Sequence, residues 1–141
     1  MRLTDYTDYA LRVLMYLGTH PGRIVTTREI ATAHGISKNH LTKIVHQLGA
    51  SGLIETCRGR TGGIRLARAP ERISLGAVVR LTEPDFDMVE CFSPNANTCT
   101  LSARCSLKRI LAQATGDYLA RLDQATLASL LPPVCHELSR A

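Results

Sequence analysis

Apolar residues recur at helical spacing along the first eighteen positions: Tyr6, Ala10, Val13, Leu14 and Leu17 share one face. This pattern predicts a helix from about Thr4 to Gly18, capped by Thr4 and stopped by His20-Pro21-Gly22. Asp8 and Arg12 fall on the opposite face, towards water or a partner chain. A second helix is expected after Thr26 or Thr27, covering Arg28 to His34. Gly35 breaks it, and Ser37 caps a third helix from Lys38 to about Ala50. Its apolar stripe is Leu41, Ile44, Val45 and Leu48. Two strand-like runs follow, Leu53–Cys57 and Gly63–Ala67, around the tip Arg58-Gly59-Arg60-Thr61-Gly62, which reads as a β-hairpin. Ser74 caps a short helix from Leu75 to about Leu81, ended by Glu83-Pro84. Residues 84–104 are rich in Pro, Asn, Ser and Asp, a loop long enough to suggest function. A last long helix is expected from about Arg104 to Ala125. Leu127, Leu130 and Leu131 lie off its stripe, so it kinks or restarts near Thr126. Pro132-Pro133 ends it, and the tail beyond is expected to fray.

Helix, Gly-containing turn, helix and hairpin are the parts of a winged helix-turn-helix. The expected fold class is mainly α with a small β wing. Residues 1–75 would form the DNA-binding region, and residues 76–141 a long loop and last helix, an extension of one compact domain. The chain has 141 residues, enough for one full core. With no Trp, that core must come from Leu, Ile, Val and Ala. No apolar run reaches membrane-spanning length. The opening MRLTDYTDYA lacks signal-peptide architecture, so a cytoplasmic location is expected.

Charge sharpens the picture. Residues 1–75 carry eleven Lys and Arg against five Asp and Glu, whereas residues 76–141 carry six against seven, so the basic half is the candidate for a polyanion partner. The outer face of the third helix, Asn39, Lys43, His46 and Ala50, flanked by His40, Thr42 and Gln47, is small, polar and basic, as a major-groove reader requires. No acid occurs between Glu29 and Glu55. The candidate contacts to double-stranded DNA are Arg28, Ser37, Lys38, Asn39, His40 and Lys43, with Arg58 and Arg60 on the wing. In the long helix, Leu107, Ile110, Leu111, Ala114, Tyr118, Leu122 and Ala125 form one apolar stripe over about 30 Å. Such a stripe suits a homodimer seam, and two-fold proteins read palindromic operators.

Cys91, Cys99 and Cys105 carry the remaining chemistry, at spacing Cys-x7-Cys-x5-Cys. Zinc sites use close CxxC pairs, which are absent, and no His lies between these cysteines. Wide spacing on a loop suits an iron–sulfur cluster. Three thiolates can hold three irons of a cubane and leave the fourth iron for another ligand, so [4Fe–4S] is favoured over [2Fe–2S]. Reduced thiols without metal, or with zinc, remain open on spacing alone. Cys57 and Cys135 are not expected to be ligands. No catalytic constellation is visible, so no enzyme is expected, and a small electron-transfer protein is the alternative from another class.

The segments MRLTDYTDYALRVLMYL, GISKNHLTKIVHQLGASGLIET and CRGRTGGIRLARAP, with the three-cysteine loop, together resemble the Rrf-two family of winged-helix iron–sulfur regulators over residues 1–130. One branch of that family carries a ligating His three residues after the third cysteine, where this chain has Lys108. Resemblance to the nitric-oxide-sensing branch implies a fourth ligand from an Asp near the N-terminus of the other subunit. Asp8, in Thr7-Asp8-Tyr9, occupies that place. The competing role for Asp8 is an ion pair with Arg12 four residues on. The resemblance implies a homodimeric repressor on promoter DNA, with nitric oxide as effector. A redox-sensing or cluster-status-sensing regulator of the same fold is the alternative.

Overall fold

The computed structural model describes residues 2–133. Three helices form the N-terminal unit: α1 (Asp5–Gly18), α2 (Thr27–His34) and α3 (Lys38–Ala50). Each starts at a hydroxyl cap: Thr4 accepts from the Thr7 N–H, Thr26 from Glu29 and Ser37 from His40. Gly35 ends α2 with φ 64°, a left-handed conformation that suits glycine and turns the chain tightly into α3. Strands β1 (Ile54–Cys57) and β2 (Gly63–Leu66) pair antiparallel, Ile54 opposite Leu66 and Cys57 opposite Gly63. Val25 joins β2 through two backbone hydrogen bonds with Ile64, 2.8 and 2.9 Å, which fixes the wing to the α1–α2 connection.

Helix α4 (Leu75–Thr82) is capped by Ser74 as expected, and α5 spans Ser106–Asp123. The start expected near Arg104 shifts, because Ser102–Arg104 forms a separate 3-10 turn and Cys105 becomes the N-cap of α5. The core gathers Val13, Leu14, Ile30, Leu41, Ile44 and Leu48 from the three N-terminal helices with Ile64, Ile73 and Val78. Leu127 completes it, fully buried, where the sequence pattern indicated only a restarting helix. It lies in a 3-10 turn, Leu127–Leu130, held by a backbone bond from Leu127 N–H to Ile73 O of 2.9 Å. One core therefore spans residue 75, the boundary between the two expected regions. Cys135 and the tail expected to fray lie outside the described residues.

Helix α5 docks on α4 through a two-pronged pair between Arg80 and Asp123. Gly76 leaves room for it, since a Cβ there would collide with Asp123. The Arg80 guanidinium holds the Asp123 carboxyl below its ordinary value. A depressed carboxyl pKa gives stability that is present above the ordinary value of about 4 and lost as pH falls through the folded value. Arg80→Ala is therefore expected to lower the melting temperature at neutral pH, with the difference from the unsubstituted protein disappearing in acid. Melting curves across that range check it.

Candidate functional site

Arg28 on α2 and Lys38 at the start of α3 line one surface depression of about 370 Å³ beside the turn between these helices. Ser37, Lys38, Asn39, Thr42, Lys43 and His46 are exposed on α3 and its cap, and Arg58 and Arg60 are exposed at the tip of the wing. Among the described residues, Arg28, Lys38, Lys43, Arg58 and Arg60 form no ion pair, whereas Arg23 pairs with Glu29 and Arg65 with Glu55. Cations without a carboxylate partner are available to phosphates.

Two expectations on α3 change. His40 is only half-exposed, its ring set against Tyr9 at 5.2 Å and Tyr6 at 6.2 Å between centroids. Gln47, placed beside the reading face by helical spacing, turns inward, and its Nε2 donates to Leu81 O at 2.8 Å.

The cysteine loop is ordered by its own polar side chains. Cys91 is buried in the 3-10 turn Glu90–Phe92, while Cys99 and Cys105 are half-exposed. Thr98 Oγ1 donates to both Glu90 oxygens, at 3.2 and 3.3 Å, which closes the stretch around Cys91. Asn97 accepts the Cys99 N–H at 3.0 Å and donates to Ser102 at 3.0 Å. Cys105 Sγ accepts the Lys108 N–H at 3.5 Å. All three thiols are free, as is Cys57. Among the described residues no three His, Cys, Asp or Glu side chains converge as metal ligands, the three loop cysteines included. The donor chemistry still fits a soft centre: three free thiols stand on one loop, and the carboxylate next to Cys91 is engaged by Thr98.

Asp8 faces outward on α1 and pairs with Arg12 at 2.8 Å, both side chains nearly half exposed. Arg12 also sits 5.8 Å from the centre of the Tyr9 ring. The ion-pair reading of Asp8 thus describes the single chain.

The apolar stripe of α5 divides. Leu111 and Leu122 are half-buried on the side that carries Thr115. Leu107, Ile110, Ala114 and Tyr118 are exposed, Leu107 and Ile110 by more than half of their surface. Helix α5 has no fully buried residue. The expected single stripe merges two neighbouring faces, because residues three and four apart both lie within a helical turn's reach. Only the exposed face is free for a partner.

A helix-turn-helix with unpaired cations on its outer helix and on a paired-strand wing defines a winged-helix DNA-binding regulator. The chain belongs to the Rrf2 family, whose pattern, described as iron-dependent transcriptional regulator, matches residues 3–133. It is 52% identical over 132 residues to the HTH-type transcriptional regulator NsrR of Halalkalibacterium halodurans, covering 93% of this chain and 90% of that protein. The NsrR of Bacillus subtilis is also 52% identical, with the same coverage. Among solved structures, IscR of T. potens superposes with TM-score 0.74 at 25% identity, covering 92% of this chain and 85% of that one. CymR of Staphylococcus aureus, in its oxidized form, superposes with TM-score 0.73 at 25% identity over 92% and 95%. These findings make the chain a transcriptional regulator rather than an enzyme. No helix among the described residues is long and apolar enough to cross a membrane.

Proposed function

We propose that the chain is a cytoplasmic, homodimeric repressor of palindromic promoter operators. It releases DNA when nitric oxide reaches an iron–sulfur cluster held by Cys91, Cys99 and Cys105 of one subunit and Asp8 of the partner subunit. The observation that carries this reading is three free thiols on one loop together with an outward carboxylate on α1, in a chain of the Rrf2 family. When bound, the cluster, [4Fe–4S] on this donor count, supplies an iron open to a small ligand, because a carboxylate is a weak donor to iron otherwise held by sulfur.

The chain's own residues do the rest. The three thiolates bind. Leu107, Ile110, Ala114 and Tyr118 supply the apolar seam between subunits. Asp8 of the partner subunit ties one sensing loop to the other reading unit, and Arg12 receives that carboxylate when it is not a ligand. Arg28, Ser37, Lys38, Asn39 and Lys43 contact the major groove and its flanking phosphates, and Arg58 and Arg60 the backbone beside the wing. His40 helps to seat α3 on the Tyr6 and Tyr9 rings. Residues 1–75 thereby read, and residues 76–141 sense and pair.

The test is anaerobic: reconstituted protein is bound to a duplex it has selected from a random pool, then titrated with nitric oxide. Affinity is expected to fall at least tenfold as the visible absorbance changes. Unchanged affinity across the titration would sink the sensing role, and a protein that selects no duplex would sink the reading as a whole.

A further inference from the structure

The start of α1 is capped by a residue far along the chain. In a capping box, the third residue of the helix reaches back to the N–H of the cap residue. That third residue is Thr7, whose side chain does not make this bond. Glu83, 79 positions from Thr4, takes the role instead: one carboxylate oxygen accepts the Thr4 N–H at 2.8 Å and the Thr4 hydroxyl at 3.0 Å. Glu83 is also the C-cap of α4 and the last residue before the segment that leads to Cys91.

Two further bonds hold α3 beside this point. Gln47 donates to Leu81 O on the last turn of α4, at 2.8 Å. Tyr6, on the first turn of α1, donates its hydroxyl to Lys43 O at 3.3 Å. Beyond Glu83, the segment through Met88 lines a cleft of about 620 Å³ with Leu3 and Thr4 on one side and Ala114 and Tyr118 on the other. The Thr115 hydroxyl of α5 reaches Met88 Sδ at 2.9 Å. The path from Cys91 back to the reading helix is therefore short and has three fixed points, one each on α5, α1 and α3.

We infer that Glu83 and Gln47 are positioning residues that transmit the state of the cysteine loop to α3 within one subunit, independently of any contact made by Asp8. The inference rests on the proposed cluster-dependent DNA binding. A shift of the loop pulls on Glu83 and on Leu81 O, and these two anchors set where α1 and α3 lie. Gln47 touches no DNA in this account; it holds the helix that does. Coupling of this kind appears as a ratio of affinities, whereas a merely structural residue weakens both states alike.

The experiment measures DNA affinity by anisotropy for the reconstituted and cluster-free protein, with the selected duplex. Gln47→Met, which removes the donor at similar volume, and Glu83→Ala are expected to reduce the ratio of the two affinities at least fivefold. Glu83→Gln, which keeps the acceptor oxygen, is expected to retain it. In cluster-free protein, amide exchange in α3 should rise in Gln47→Met and stay unchanged in Glu83→Gln. The inference is overturned if Gln47→Met and Glu83→Ala lower both affinities by the same factor, or if Glu83→Gln behaves like Glu83→Ala. A ratio near one in the unsubstituted protein would instead overturn the proposed function on which it rests.

Discussion

Cys105→Ser is expected to eliminate cluster binding while leaving the cluster-free fold intact. The two roles of Cys105 separate cleanly at this position. As N-cap of α5, its sulfur accepts the Lys108 N–H at 3.5 Å, and a serine oxygen satisfies the same donor at least as well. As a proposed ligand, the thiolate has no substitute in a hydroxyl, which is a hard donor and stays protonated at neutral pH. The anaerobically reconstituted variant should lose its visible absorbance and acid-labile sulfide. Its DNA affinity should fall to that of cluster-free protein and no longer respond to nitric oxide. The melting temperature without cluster should match that of the unsubstituted protein or exceed it slightly. A Cys105→Ser variant that keeps full absorbance removes Cys105 from the ligand set. Cys91 is a poorer choice for this test, because it is buried and a polar hydroxyl there would cost stability by itself.

Gly63→Ala is the substitution expected to damage the fold most for its size. A Cβ at Gly63 would lie 2.5 Å from Val25 O and 2.9 Å from Ile24 Cγ2. The first is backbone, part of the two-bond bridge that joins Val25 to Ile64, so it cannot swing aside. Either the bridge opens or β2 shifts, and buried Ile64 and Val25 lose their packing with it. The expected cost is about 1–3 kcal/mol, the range for overcrowded sites. It should appear as a melting temperature lower by several degrees and as a wing whose Arg58 and Arg60 no longer strengthen DNA binding. A variant as stable as its parent would show that the wing base yields freely.

The reading unit was legible because its signals are local. Thr4, Ser37 and Ser74 cap the helices they were expected to cap, Thr26 rather than Thr27 precedes α2 as its cap, and Gly35 supplies the left-handed turn. Apolar spacing placed Leu41, Ile44 and Leu48 correctly in the core. What stayed hidden depends on distant partners. Helical spacing puts Gln47 beside Lys43 and His46; only the position of α4 turns it inward. Nothing near Thr4 announces that Glu83 will complete its cap. The stripe on α5 merged two faces, since exposed Ile110 adjoins half-buried Leu111 and both fit one apolar repeat over a few turns. The three cysteines stood out by spacing, yet their side chains do not converge in the described fold.

Leu127 sits in the core formed by the reading helices, and Gly18 packs directly against Leu131. The order of synthesis gives this a consequence. When the ribosome has finished the wing, the reader still lacks Leu127, the last core residue among those described. The cysteine loop and α5 must both be made before that residue emerges. A chain cut short after the wing, whether by premature termination or by proteolysis, leaves an unfilled hole where Leu127 belongs. The gene thus has no simple way to yield a stable winged-helix unit without the cysteine loop and α5.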